Sequence, residues 1–219
     1  MSIKTACVLT GLCGILGTFA LAAYFSAPFW LMPLPPTNAT VDQIMAFGTK
    51  YHTVIIWDTW LQQIGSFLSV VFTLSLVHLA GTSNKFAGRL TLLVCGVIMA
   101  LSLAEGTFAF AALQAGDNGH PQSALTCFDL TSVFVHIFLI APSLFLIMGF
   151  ALLGTALLHR AFVYIAITLG ILFQVLGFAG LFSNTAVLMV TFVLNAQNLW
   201  TLVVSSMLLF KKATPVDHI

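Results

Sequence analysis

The sequence predicts an all-α polytopic membrane protein, a six-transmembrane-helix bundle with both termini cytoplasmic. Three observations carry that prediction. Hydrophobic residues make up 60% of the 219-residue chain and charged residues 6%, and the mean hydropathy is +1.08. A soluble domain carries about 25% charged residues, so the soluble class is excluded. Six segments reach the roughly 20 apolar residues that a helix needs to cross the hydrocarbon core. Finally, the Lys and Arg residues fall unevenly on the two sides of those segments.

The segments lie near 5–26, 51–80, 89–114, 128–157, 161–183 and 186–210. The first ends before Pro33-Leu34-Pro35-Pro36, whose prolines favour extended backbone. Its single basic residue, apolar stretch and Ala20-Leu21-Ala22 also fit a secretory signal, but we read it as a span. Thr40 with Gln43 three residues on forms a capping-box pattern. It predicts a short helix from Val41 that runs into the second span. Gly81-Thr82-Ser83-Asn84 separates spans two and three, and Gly116 through Pro121 separates three and four. The last breaks, His159-Arg160 and Ser183-Asn184, are short; five spans result if segments five and six form one re-entrant hairpin.

With the N-terminus inside, the inner side holds Lys4, Lys85, Arg89, Arg160, Lys211 and Lys212, and the outer side only Lys50. This positive-inside bias places both termini in the cytoplasm. The chain reads as a single domain over 1–219, without a linker or an internal repeat of the inverted-transporter kind. Its net charge of +1 leaves no basic surface for nucleic acid. Twenty Phe are too many for one compact core but suit a lipid-facing exterior. Trp30, Tyr51, Trp57 and Trp60 gather where an outer aromatic belt belongs.

Small residues mark close helix approach: Gly11, Gly14 and Gly17 on the first span, and Gly170, Gly177 and Gly180 on the fifth. Cys7, Cys13, Cys95 and Cys127 have no metal-ligand spacing and read as structural thiols. Asn38-Ala39-Thr40 matches a glycosylation sequon, a short match that would carry little weight in a bacterial host.

Polar residues inside the spans are costly in lipid and usually face the bundle interior or a cavity. Asp58 and Gln62 share a face of span two, and Gln63 points about 100° away. Glu105 lies on span three; Asp129, Ser132 and His136 form one stripe on span four. Gln174 is on span five, and Asn195 and Asn198 are on span six. At about 1.5 Å per residue, Glu105, His136, Gln174 and Asn195 lie roughly 12–16 Å below the outer surface, with Gln62 close by. Asp58 and Asp129 lie shallower, at roughly 2–10 Å. The expectation is a polar cavity open to the outside, with Asp58, Gln62, Glu105, Asp129, His136, Gln174, Asn195 and Asn198 as candidate ligand-binding residues.

Several chemistries fit these residues. A proton-coupled or small-molecule-binding transporter would use Glu105 as the titrating group with His136 as partner. Glu105, Asp129 and His136 offer a mixed O/N metal-ligand set. An intramembrane enzyme would use Glu105 and His136 as acid and base on a lipid or quinone-like substrate, though no GxSxG nucleophile motif is present. Haem would need the pairs His52–His136 or His78–His159. In a different class, the polar layer serves assembly, making the chain an accessory subunit of a larger membrane complex or a homo-oligomer. The absence of lysine within the spans excludes a retinal Schiff base, and no Arg-rich helix or phosphate-binding Gly-rich loop occurs.

Pro33-Leu34-Pro35-Pro36 through Val41 and Tyr51, and the closing Ala196-Gln197-Asn198-Leu199-Trp200, occur in this order around six spans. In that layout, which covers most of the chain, the sequence resembles uncharacterised bacterial six-helix inner-membrane proteins. Such families have no established activity, so the resemblance implies neither a function nor a site.

Overall fold

Seven helices carry the chain in the computed structural model, which describes residues 2–33 and 39–210. The order is α1 (Ile3–Trp30), α2 (Val41–Leu79), α3 (Phe86–Asp117), α4 (Pro121–Ile140), α5 (Leu144–Leu152), α6 (Arg160–Gly180) and α7 (Asn184–Leu209). Among the described residues six stretches are long and apolar enough to cross a membrane, α4 and α5 together forming the fourth. Leu34, Pro35, Pro36, the sequon's Asn38, Lys211 and Lys212 lie outside the described residues.

Local chemistry sets the helix ends. The hydroxyl of Ser2 caps α1 by accepting from Thr5 N. At Thr40 both halves of the expected capping box form: Thr40 N donates to Gln43 Oε1 at 2.9 Å and Gln43 N to Thr40 Oγ1 at 3.4 Å. The helix it starts continues into the second span through a kink at Tyr51 (φ −110°, ψ 15°). The tight turns after α2 and α3 each use a left-handed glycine, Gly81 (φ 67°) and Gly119 (φ 72°), a conformation that costs any residue with a Cβ.

The fourth span corrects the sequence reading, which ran unbroken over 128–157. Its helix begins earlier, at Pro121, is interrupted at 141–143, and ends at Leu152. Pro142 is the cause: it has no N–H to donate, and its ring clashes with the carbonyl four residues back. Ala141 before it is extended (φ −60°, ψ 152°), as a residue preceding proline prefers.

The spans close into a ring. Each packs on its sequence neighbour, α4 and α5 both meet α3 and α6, and α7 returns to α1. The glycines on the first and fifth spans are points of close approach. A Cβ at Gly17 would lie 3.0 Å from Leu68 of α2, and one at Gly177 would overlap the Leu139 carbonyl of α4. One apolar core, with Phe72, Leu76, Met148, Leu152 and Val204, fills the end of the bundle that carries Arg160; Leu139, Phe173, Val190 and Val193 form a second. Phe19, Phe67, Phe178 and Phe192 face outward, as a lipid-covered exterior requires. Cys7 and Cys95 are buried and Cys13 and Cys127 half-buried, all as free thiols.

At 1.5 Å per residue, α2 and α3 are about 58 and 48 Å long, well beyond a hydrocarbon core of about 30 Å. The surplus gathers at the end that carries Asp117. There His52 Nε2 lies 3.2 Å from Asp117 Oδ2, and the Phe47 ring meets Phe128 at 6.3 Å. Ile44, Leu113 and Ala124 are buried between the start of α2, the end of α3 and the start of α4. These three helix ends form a small cap with its own core.

Candidate functional site

Below that cap, three helices bring polar side chains together around Glu105. Gln62 follows Asp58 by one turn, so both project from one face of α2, and α3 presents Glu105 to it. Gln62 Nε2 donates to Glu105 Oε2 at 2.5 Å, and the Tyr24 hydroxyl of α1 donates to Oε1 at 3.1 Å. Glu105 and Gln62 are each only 8% exposed. Asp58 lies within electrostatic range of both Glu105 and Tyr24. Its Oδ1 is buried and takes no hydrogen bond from the protein.

A flanking set holds α2 against α3. Gln63 Nε2 donates to the Ser102 carbonyl at 2.6 Å, and the Ser102 and Ser66 hydroxyls meet at 3.1 Å. Gly106 leaves the space that the Gln63 amide occupies; a Cβ there would collide with Nε2. The offset of Gln63 from Gln62 thus places one amide on Glu105 and the other on the backbone three residues earlier.

The site is electrostatically one-sided. Among the described residues the only ion pair is His52–Asp117. No Lys or Arg occurs between Lys50 and Lys85 or between Arg89 and Arg160. The partners of Glu105 are therefore neutral donors, and the other carboxyl group within electrostatic range is Asp58. Such a group is stable in a low-dielectric interior only with a proton or a cation.

Of the eight candidate residues, the structure gathers Asp58, Gln62 and Glu105, and the other five lie elsewhere. Asp129, Ser132 and His136 do form one stripe on α4, but all three are exposed. His136 Nδ1 donates to the Ser132 carbonyl of its own helix at 2.9 Å. The reason is how α4 docks: Phe134 stacks on Phe108 of α3 at 5.4 Å and Phe138 meets Phe173 of α6 at 5.8 Å. That turns the polar stripe outward. The ligand set Glu105, Asp129 and His136 is thereby corrected, since no three His, Cys, Asp or Glu side chains gather as a metal site among the described residues.

Gln174 instead braces the broken helix, accepting from Ser143 N at 3.0 Å and donating to the Ile140 carbonyl at 3.4 Å. Asn195 is exposed and donates to Thr191 O of its own helix at 2.9 Å. Asn198 is half-buried, with an Nδ2 that has no partner. The histidines weighed as haem pairs are similarly dispersed: His52 is on Asp117, His159 caps α6 through Ala161 N, and His78 is exposed.

Sequence reading missed Tyr24, Ser66 and Ser102. Ser102 and Glu105 stand at i, i+3, and Gln62 and Ser66 at i, i+4, so the two facing stripes were available as spacing. Tyr24 had no such signal. On the outer flank of α2 and α3, Ile56, Trp57, Trp60 and Phe110 line an open apolar groove of about 450 Å³. Thr59 and Gln63, packed on Gly106, separate it from the Glu105 side of α2. Comparison with protein-family models, curated proteins and solved structures returns no match for this chain.

Proposed function

We propose that this chain is a membrane protein that takes up a proton or small cation at Asp58 and Glu105 and couples that uptake to transport. The observation that supports this reading is the buried Glu105 carboxyl held only by neutral donors, with the half-buried acid Asp58 beside it. A neutral glue site would use amides and hydroxyls alone, whereas a carboxylate in this setting needs a positive partner. The Lys and Arg asymmetry supports an orientation with both termini cytoplasmic and the Asp117 end outside; a bacterial inner membrane is the setting that the layout of the chain suggests. In that orientation the site is entered from the outside, beneath the three-helix cap.

Infrared difference spectroscopy between acidic and alkaline buffer tests this directly. Wild-type protein is expected to give a protonated-carboxyl band that disappears in Glu105→Gln, with the fold intact by circular dichroism. If the occupant is a metal cation, that band is weak, and sodium or magnesium at fixed pH raises the Tm in a Glu105-dependent way. Neither response in wild type would refute the reading.

The outward stripe Asp129, Ser132 and His136 favours a second reading, an accessory subunit that packs against another membrane protein. Polar groups on an outward helix face are best satisfied by a neighbouring chain. His136→Leu should then shift the native assembly to a smaller size on a sizing column while the Glu105 carboxyl band stays. An unchanged size would remove the support that this stripe gives.

A further inference from the structure

The open groove on the flank of α2 and α3 plays no part in uptake at Glu105. Ile56, Trp57 and Trp60 of α2 form one wall and Phe110 of α3 the other, around a space of about 450 Å³. Small-molecule sites run from about 300 to 1,000 Å³. The Trp57 and Trp60 rings meet edge to face, with centroids 5.8 Å apart and planes at 84°, and both are more than half exposed. Helix length gives the depth of the groove. The hydrocarbon core spans about 20 helical residues. Counted from Arg89 near the start of α3, or back from His78 near the end of α2, that number reaches Ala109 and Asp58. The groove therefore sits where hydrocarbon gives way to headgroups, at the Asp117 end.

Above this apolar floor the rim is polar. Gln114 stands one turn beyond Phe110 on α3, and Thr53 one turn beyond Trp57 on α2; both are exposed. Lys50, Thr53, Trp57 and Trp60 stand at i, i+3, i+7 and i+10, and all four are exposed, so one stripe persists through the kink at Tyr51. Lys50 is the only Lys or Arg between Lys4 and Lys85, and none occurs between Arg89 and Arg160. Its ammonium lies 5.0 Å from the centre of the Tyr51 ring, and among the described residues it pairs with no carboxylate. The acid that ends α3, Asp117, is engaged by His52.

We propose that this groove binds an anionic phospholipid, with one acyl chain against Trp57, Trp60 and Phe110 and the headgroup phosphate on Lys50. The dimensions match. The Lys50 backbone lies about 10 Å beyond Trp57 along the helix, the headgroup region is roughly 5–8 Å deep on each side of the core, and a lysine side chain bends toward the level where its charge is satisfied. Thr53 and Gln114 add neutral hydrogen-bonding groups at the rim. Charge selects the headgroup: a zwitterionic lipid would bring its own cation beside Lys50, whereas an anionic one compensates it. The site is separate from the Glu105 cluster, because Thr59 and Gln63, packed on Gly106, stand between them.

The test uses the full chain in phosphatidylcholine bilayers, titrated with phosphatidylglycerol or phosphatidylcholine brominated on the acyl chains, since bromine quenches indole fluorescence on contact. The groove signal is the difference between wild type and Trp57→Phe/Trp60→Phe. Brominated phosphatidylglycerol is expected to quench it at about fivefold lower mole fraction than brominated phosphatidylcholine, the factor that one lysine near the surface supplies. Lys50→Gln should abolish that preference and Lys50→Arg keep it, while Glu105→Gln leaves it unchanged. Phe110→Ala removes a wall and should weaken quenching by both lipids alike, with the fold intact by circular dichroism. Equal quenching by the two lipids in wild type would mean ordinary boundary lipid on an aromatic belt and overturn the site. A preference that survives Lys50→Gln, or quenching untouched by Phe110→Ala, would also overturn it. Quenching by neither lipid would mean that a second copy or another protein covers the groove, which refutes the proposal as well.

Discussion

Gly177→Ala is expected to destabilise the protein by roughly 2–4 kcal/mol, as an overpacked core position does. For a chain of this size that lowers the Tm by roughly 5–10 °C. The added Cβ would overlap the Leu139 carbonyl, and a neighbouring change, Gly170→Ala, would overlap the Leu146 amide. Both targets are backbone, which cannot move aside as a flexible side chain can. The two glycines flank Gln174 on α6, and between them they seat the α4–α5 interruption at Pro142. Moving α6 away would also stretch the bonds from Gln174 to Ser143 N and Ile140 O, leaving backbone groups in the membrane without partners. Gly96→Ala is the control. Nothing lies within 4 Å of its Cβ position on α3, so the better helix propensity of alanine should stabilise by up to about 1 kcal/mol. Thermal unfolding in detergent checks both signs; equal shifts for Gly177 and Gly96 would contradict this account.

The extent to which this architecture was legible from sequence follows from what each signal measures. Apolar length and breaks placed the spans, and Thr40 with Gln43 placed the start of α2, because those signals act within a few residues. Pro142 was hidden inside an apolar run that is otherwise continuous, and proline within a membrane helix is common enough not to mark a break by itself. For Asp129, Ser132 and His136 the spacing correctly gave one shared face. Periodicity says which residues lie together, not which way their face turns, and here the Phe134 and Phe138 contacts decide it. Matched depth had a similar limit: Gln174 and Asn195 spend their amides on backbone. The core of the site was readable because Asp58, Gln62 and Glu105 combine shared face, depth and charge.

Glu105→Leu and Glu105→Gln should separate binding from assembly, because they change stability and ionisation by different amounts. Leucine removes both acceptor oxygens and leaves Gln62 Nε2 and the Tyr24 hydroxyl buried without a partner. At about 1–3 kcal/mol for an unsatisfied donor, and about 0.6–2 kcal/mol for a hydrogen bond between membrane helices, the expected loss is roughly 2–4 kcal/mol. Glutamine keeps the shape and one acceptor oxygen, so it can serve either Tyr24 or Gln62 and should lose only about 1 kcal/mol. In Gln62→Leu/Glu105→Leu one of the stranded donors is gone, and part of the leucine loss should return as a favourable coupling in a double-mutant cycle. If the polar cluster served only to hold α1, α2 and α3 together, proton uptake would decline in step with stability, mildly for glutamine and severely for leucine. A carboxylate that carries the charge gives a different pattern, with glutamine as damaging to uptake as leucine while the fold remains nearly as stable as wild type. Measured on the same preparations, proton uptake and unfolding therefore distinguish a carboxylate that carries the charge from one that only holds helices together.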